Sequence, residues 1–214
     1  NWLTYRLSNG AILAKIEAIR RYRSQMSIMA RYLLSFARVN ELFVEATVDP
    51  VPEVPRPGLI IDGRLDDWPF DIRPMEEPVK DSRVRKVEGR GDFASVLAGK
   101  DRTNLYLAIN LRSETSREIL YRLYLHSVGV HGHKRSENID FAFGPHERGA
   151  ISIVAPAHRD VKFGGVKAAS QDKTIEIAIP LEFLGNPRYL FLRVESRFKG
   201  VIIDQTTWRV LQLY

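Results

Sequence analysis

The chain contains no cysteine. That absence excludes disulfide staples, thiolate nucleophiles and cysteine-ligated zinc in one step. It suits an oxidising compartment, where an unpaired thiol is a liability, although many cytosolic proteins lack cysteine too. No run of about 18 apolar residues occurs, so no segment reads as a transmembrane helix. Lys and Arg number 32 against 26 Asp and Glu, for a net charge of +6 and a pI near 9.6, yet the surplus is scattered and not gathered into a basic block. Nucleic-acid surfaces concentrate charge and interleave aromatics with it, so no nucleic-acid partner is expected. There is no Gly-x-Ser-x-Gly elbow, and Gly89-Arg90-Gly91 lacks the lysine and the strand-to-helix setting of a phosphate loop. A non-enzymatic domain is expected from these gaps.

What is present is a folding composition: 214 residues, 44% hydrophobic and 10% aromatic, enough for one domain of ordinary size plus an appendage. Positions 12, 16, 19, 23, 26, 30, 33 and 37 step by four and three, and all but Arg23 are apolar. Such a seam predicts a long N-terminal α-helical segment over residues 1–48, capped near Ser8 or Asn9. As one helix over 10–46 it would reach roughly 55 Å, at about 1.5 Å per residue. As a helix or a helical hairpin it would lie on the core of the next domain; the alternative is a stalk that pairs with a second copy as a homodimer or emerges from a membrane anchor. Asn1 is not methionine, and the expectation is a fragment of a longer protein, anchored to a membrane only through segments outside it.

Prolines at 50, 52, 55 and 57 forbid helix and mark residues 49–57 as an extended linker. From residue 58 to 214 the pattern is mainly β. Strands are predicted at Leu59 to Ile61, Ala94 to Ala98, Leu105 to Leu111, Ile119 to His126, Asn138 to Phe143, Ala150 to Ala155, Gly165 to Ala169, Thr174 to Ile179, Tyr189 to Glu195 and Trp208 to Leu213. Period-two alternation, clearest at Ile175, Ile177 and Ile179, with no helices between strands, predicts an antiparallel β-sandwich.

Three pieces carry a family resemblance: Ile60-Ile61-Asp62-Gly63-Arg64-Leu65-Asp66-Asp67-Trp68-Pro69, then Asn104-Leu105-Tyr106-Leu107, then Ile175-Glu176-Ile177-Ala178-Ile179-Pro180. Their order resembles the family 9 carbohydrate-binding modules and the wider DOMON-like sandwiches. That resemblance implies a jelly-roll-like, usually non-catalytic domain that binds sugars or, in some relatives, haem, with structural Ca2+ in some of the sugar-binding members. The preceding helix, with Asn40-Glu41-Leu42-Phe43, gives a layout similar to the extracytoplasmic sensor region of bacterial membrane histidine kinases. It implies a periplasmic or cell-surface input domain. An accessory module of a carbohydrate-active enzyme and a structural cell-surface protein are the alternatives.

Aromatic rings are the natural platform for a sugar's C–H face, and Trp208, Trp68 and Tyr106 are the candidate ligand-binding residues. For Trp68, beside Pro69, burial in the core is the stronger reading; Trp208 is equally suited to a surface or the interior. Asp62, Asp66 and Asp67 are the candidate cation ligands, since their density suits a hard cation, with turn chemistry as the competing reading. His131 and His133 are a weaker metal candidate, because loop histidines beside Lys134 and Arg135 are ordinarily solvated.

Overall fold

The computed structural model describes residues 2–44, 48–78, 90–128, 134–141, 147–148, 151–153 and 165–214. His131, His133 and Phe143 lie outside them. The chain forms two compact units, Asn1–Thr47 and Val48–Tyr214.

In the first unit, β1 (Trp2–Arg6) pairs antiparallel with β2 (Asn40–Val44), and the chain between them holds α1 (Asn9–Arg20) and α2 (Arg23–Leu34). The Ser8 hydroxyl caps α1 by accepting the Ala11 N–H at 3.2 Å. The long helix expected from the seam is therefore two helices of 12 residues, and Trp2 sits on a strand instead of a helix. The seam itself is real. Ile12, Ile16 and Ile19 on α1, and Met26, Ala30 and Leu33 on α2, are half-buried while most of their neighbours are exposed. The break falls at Arg21-Tyr22, beside the one charged seam position, Arg23. Folding back brings α2 beside α1, so the seam residues are shielded in part, although none is buried. A second departure from helical geometry occurs at Met29. Without one long continuous helix, neither the stalk layout nor a helix-driven homodimer retains its basis. Among the described residues, no helix is long and apolar enough to cross a membrane.

The second unit is a β-sandwich. Its strands are β3 (Val48–Pro50), β4 (Met75–Glu76), β5 (Phe93–Lys100), β6 (Asn104–Leu111), β7 (Ile119–Val128), β8 (Lys134–Phe141), β9 (Glu147–Arg148), β10 (Ile151–Ile153), β11 (Lys167–Gln171), β12 (Thr174–Pro180), β13 (Tyr189–Phe198), β14 (Val201–Gln205) and β15 (Arg209–Gln212). Among the described residues, the larger sheet runs β10-β8-β7-β13-β15-β3, with β14 also on β13, and the smaller runs β4-β5-β6-β12-β11-β9. Every pairing is antiparallel except β15 with β3. One apolar core joins the facing sides: Leu105, Leu107 and Ile109 of β6 and Ile175, Ile177 and Ile179 of β12 meet Tyr121, Leu123 and Leu125 of β7 and Leu190, Leu192 and Val194 of β13. The expected antiparallel sandwich is thus present. Most of the expected strands fall within a few residues of their predicted places, because alternation reads out which side faces the core.

Two local expectations are corrected. The proline-rich stretch is not a free linker: β3 lies in the larger sheet, the Val51 N–H bonds to the Gln212 carbonyl, and Val51 and Val54 are buried. Proline tolerates this because an edge strand needs no second set of N–H donors. Residues Leu59 to Ile61, expected as a strand, are irregular. Leu59 and Ile61, together with Val54, Trp68 and Ile72, cover the outer side of the smaller sheet, packing on Leu97, Tyr106, Ala108 and Ala178 in a second apolar cluster, while Ile60 is exposed. The central strands β6 and β12 are consequently buried on both faces. The other sheet differs. Along β7 buried and half-buried residues alternate without a break, so Arg122, Tyr124 and His126 look outward.

Candidate functional site

The Asp62 to Trp68 motif is a fastening. Glu176 of β12 is fully buried, and its carboxylate accepts the Trp68 indole N–H at 2.5 Å and the backbone N–H groups of Gly63 at 2.8 Å and Asp62 at 3.0 Å. A carboxylate on the outer side of a strand would normally meet water; here the covering loop supplies the donors that water would have given. The carboxylates of the turn serve the turn. Asp62 Oδ1 accepts the Arg64 N–H at 2.9 Å, Asp67 Oδ2 accepts the Ile60 N–H at 2.6 Å, and Asp66 is exposed. They do not converge: among the described residues no group of three acidic or histidine side chains is placed to hold a metal ion. The turn chemistry weighed against the cation reading is what the structure shows for Asp62 and Asp67.

Gly63 has φ +89°, and a Cβ there would come within 2.3 Å of the Gln171 backbone nitrogen. Both the left-handed backbone and the close approach to β11 demand glycine. Gly63→Ala is expected to lower the unfolding free energy by about 2 kcal/mol, measured by urea denaturation.

Burial pushes the Glu176 carboxyl above its ordinary value of 4.5, against the pull of the Trp68, Gly63 and Asp62 donors and with a further push from the Asp67 charge. The native state then holds this proton more tightly than the unfolded chain. Its contribution makes stability fall as pH rises from 4.5 through the folded pKa, and level off above it. Buried Glu77 is raised in the same direction, chiefly by burial. Glu176→Gln removes the Glu176 part only, so urea midpoints compared at pH 4.5 and near pH 7 should differ less in the variant than in the wild type.

Tyr106 is also internal. Its hydroxyl donates to Asp101 Oδ2 at 2.7 Å, and burial with that hydrogen bond pushes its pKa up to about 12. Burial alone would raise Asp101, but bonds from Thr103, Tyr106 and Asn104 outweigh it and hold the carboxyl below its usual range. The ring helps wall a small cavity of about 300 Å³ with Leu59, Ile61 and Lys167. Trp68 is only 7% exposed. Of the three aromatic candidates, then, Trp68 and Tyr106 build the fold.

Trp208 is different, with 43% of its surface open. It lies beside the outward side of β7 and β13, where cross-strand register brings distant residues together: Tyr124 stands opposite Arg193, and Arg122 opposite Glu195. The Tyr124 and Trp208 rings meet edge-on with centroids 6.4 Å apart, and the His126 ring lies 5.0 Å from Trp208 at a tilt of 37°. The Arg193 guanidinium sits over both rings, 4.4 Å from the Tyr124 centroid and 4.9 Å from that of Trp208. Such contacts hold a long cation flat against aromatic surface. Below them Glu195 is 1% exposed; it accepts the Tyr124 hydroxyl at 3.2 Å and is paired with the Arg197 Nε. The buried carboxylate ties Tyr124 and Arg197 down, so the exposed rings rest on a fixed polar layer. Arg193 and Glu195 carry no signal in the sequence, and Tyr124 and His126 read there as one of several strand aromatics and a scattered histidine, not as members of a site. Alternation along Ile119 to Val128 is the signal that could have found Tyr124 and His126.

An open groove of about 760 Å³ lies elsewhere, lined by Asp49, Asp71, Glu76, Arg73, Met75 and Arg209 among others. Arg209 crosses to Glu77 at 3.2 Å. Among the described residues no aromatic ring lines this groove, which sets it apart from the Trp208 face.

No family model matches the chain, and no curated protein does. Among solved structures, a family 9 carbohydrate-binding module from Caldicellulosiruptor kristjanssonii, in complex with cellotriose, is similar over 78% of this chain and 93% of that one, with 9% identity and a TM-score of 0.49. Likeness at that level assigns neither site residues nor a ligand to this chain.

Proposed function

We propose that residues 48–214 form a non-catalytic saccharide-binding domain that takes its ligand on the outward face of the larger sheet. The observation that carries this reading is the exposed Trp208 ring, flanked by Tyr124, His126 and Arg193 over buried Glu195. A sugar presents an apolar C–H face ringed by hydroxyls. It is matched by an aromatic surface edged with fixed donors and acceptors, and by few other surfaces. Among the described residues the smaller sheet offers no such face, since the loop carrying Trp68 covers its outer side. Calorimetric titration with a panel of oligosaccharides tests the reading, with Trp208→Ala as the control. Binding that Trp208→Ala removes supports it, and a panel without a single binder contradicts it.

A further inference from the structure

The charge around Trp208 points to the class of saccharide. The outward described residues of β7 and β13 include Arg122, Arg193 and Arg197 but a single carboxylate, Glu195. Glu195 is committed to Arg197 and to the Tyr124 hydroxyl. Its other oxygen is 3.8 Å from Arg193, beyond hydrogen-bond range. One described carboxylate on these two strands thus serves two guanidiniums, Arg197 at hydrogen-bond distance and Arg193 only at ion-pair distance, so positive charge is in surplus at Arg193. Arg193 is also the cation stacked on both rings of the platform, and its Nε, a buried atom, has no hydrogen-bond partner among the described residues. A guanidinium held flat on aromatic rings is oriented for a planar anion, because its N–H groups form a fixed fork that matches the two oxygens of a carboxylate.

We propose that this face selects acidic saccharides, specifically oligouronates, with Arg193 bound to a sugar carboxylate and the adjoining ring on Trp208. This inference rests on the saccharide-binding reading above. A test pairs oligouronates of several sugars with neutral oligosaccharides of the same linkage and length, titrated calorimetrically into the full chain. The acidic partner should bind at least about tenfold more tightly, the factor that about 1.4 kcal/mol represents. Arg193→Gln should abolish the preference, and Arg193→Lys, which keeps the charge but loses the fork, should restore only part of it. Equal or tighter binding of the neutral partner, or a preference that survives Arg193→Gln, overturns the inference while leaving the saccharide reading intact. If neither kind binds, both fall.

Discussion

Replacing Glu176 with alanine should lower the unfolding free energy by about 3 kcal/mol. The carboxylate serves three donors at once, the Trp68 indole and the Asp62 and Gly63 amides, all closed over by the loop that carries them. Each buried donor left without a partner costs roughly 1–3 kcal/mol. Removing a desolvated carboxylate gives part of that back, which keeps the expected net change near the lower end of the sum. Glu176→Gln should cost about 1 kcal/mol, because its amide oxygen can keep the two backbone donors while its NH2 turns a donor toward the Trp68 N–H. Urea unfolding followed by far-ultraviolet circular dichroism measures both. An alanine variant within about 0.5 kcal/mol of wild type would show that Glu176 does not fasten the loop.

Replacing Trp208 with alanine should weaken saccharide binding by roughly thirtyfold or more, the equivalent of about 2 kcal/mol for loss of a dominant aromatic contact. The same change should leave stability within about 1 kcal/mol of wild type. The two halves of this expectation separate a binding ring from a structural one. Trp208 is 43% exposed, whereas Trp68 is 7% exposed and hydrogen-bonded to a buried carboxylate. Calorimetric titration gives the first quantity and thermal unfolding the second. Lost binding together with lost stability would place Trp208 with the core.

Much of the sandwich was legible in the sequence because it depends on a short-range property. A strand such as Ile119–Val128 declares its buried side every second residue, and no distant partner is needed to read it. The N-terminal seam was legible for the same reason, at a helical period. A helical hairpin and a straight helix both fit it, and the seam does not decide between them, since it shows which residues seek cover and not what covers them. Arg23 was noted as the interruption of the seam, and the turn falls beside it. The three family-like motifs were read as separate pieces. In the structure Glu176 of the third is bonded to Gly63 and Trp68 of the first, a contact across 108 residues to Trp68 that no local pattern encodes. The platform was the least legible part. Tyr124 and Arg193 are neighbours only through the register of β7 on β13, and Trp208 joins them from another strand's edge. Only Trp208 stood out as a residue type. Alternation divides Tyr124 and the other strand aromatics between core and surface without joining any of them to Trp208.

The most direct measurement follows the indole N–H signals of the three tryptophans, Trp2, Trp68 and Trp208, in a 1H–15N correlation spectrum during saccharide titration. They can be assigned from the single tryptophan variants. Binding on the outward face of the larger sheet predicts that the Trp208 signal moves with saturable dependence on ligand while that of Trp68, sealed against Glu176, stays in place. A titration in which Trp68 moves and Trp208 does not, or in which no oligosaccharide moves any of them, contradicts it.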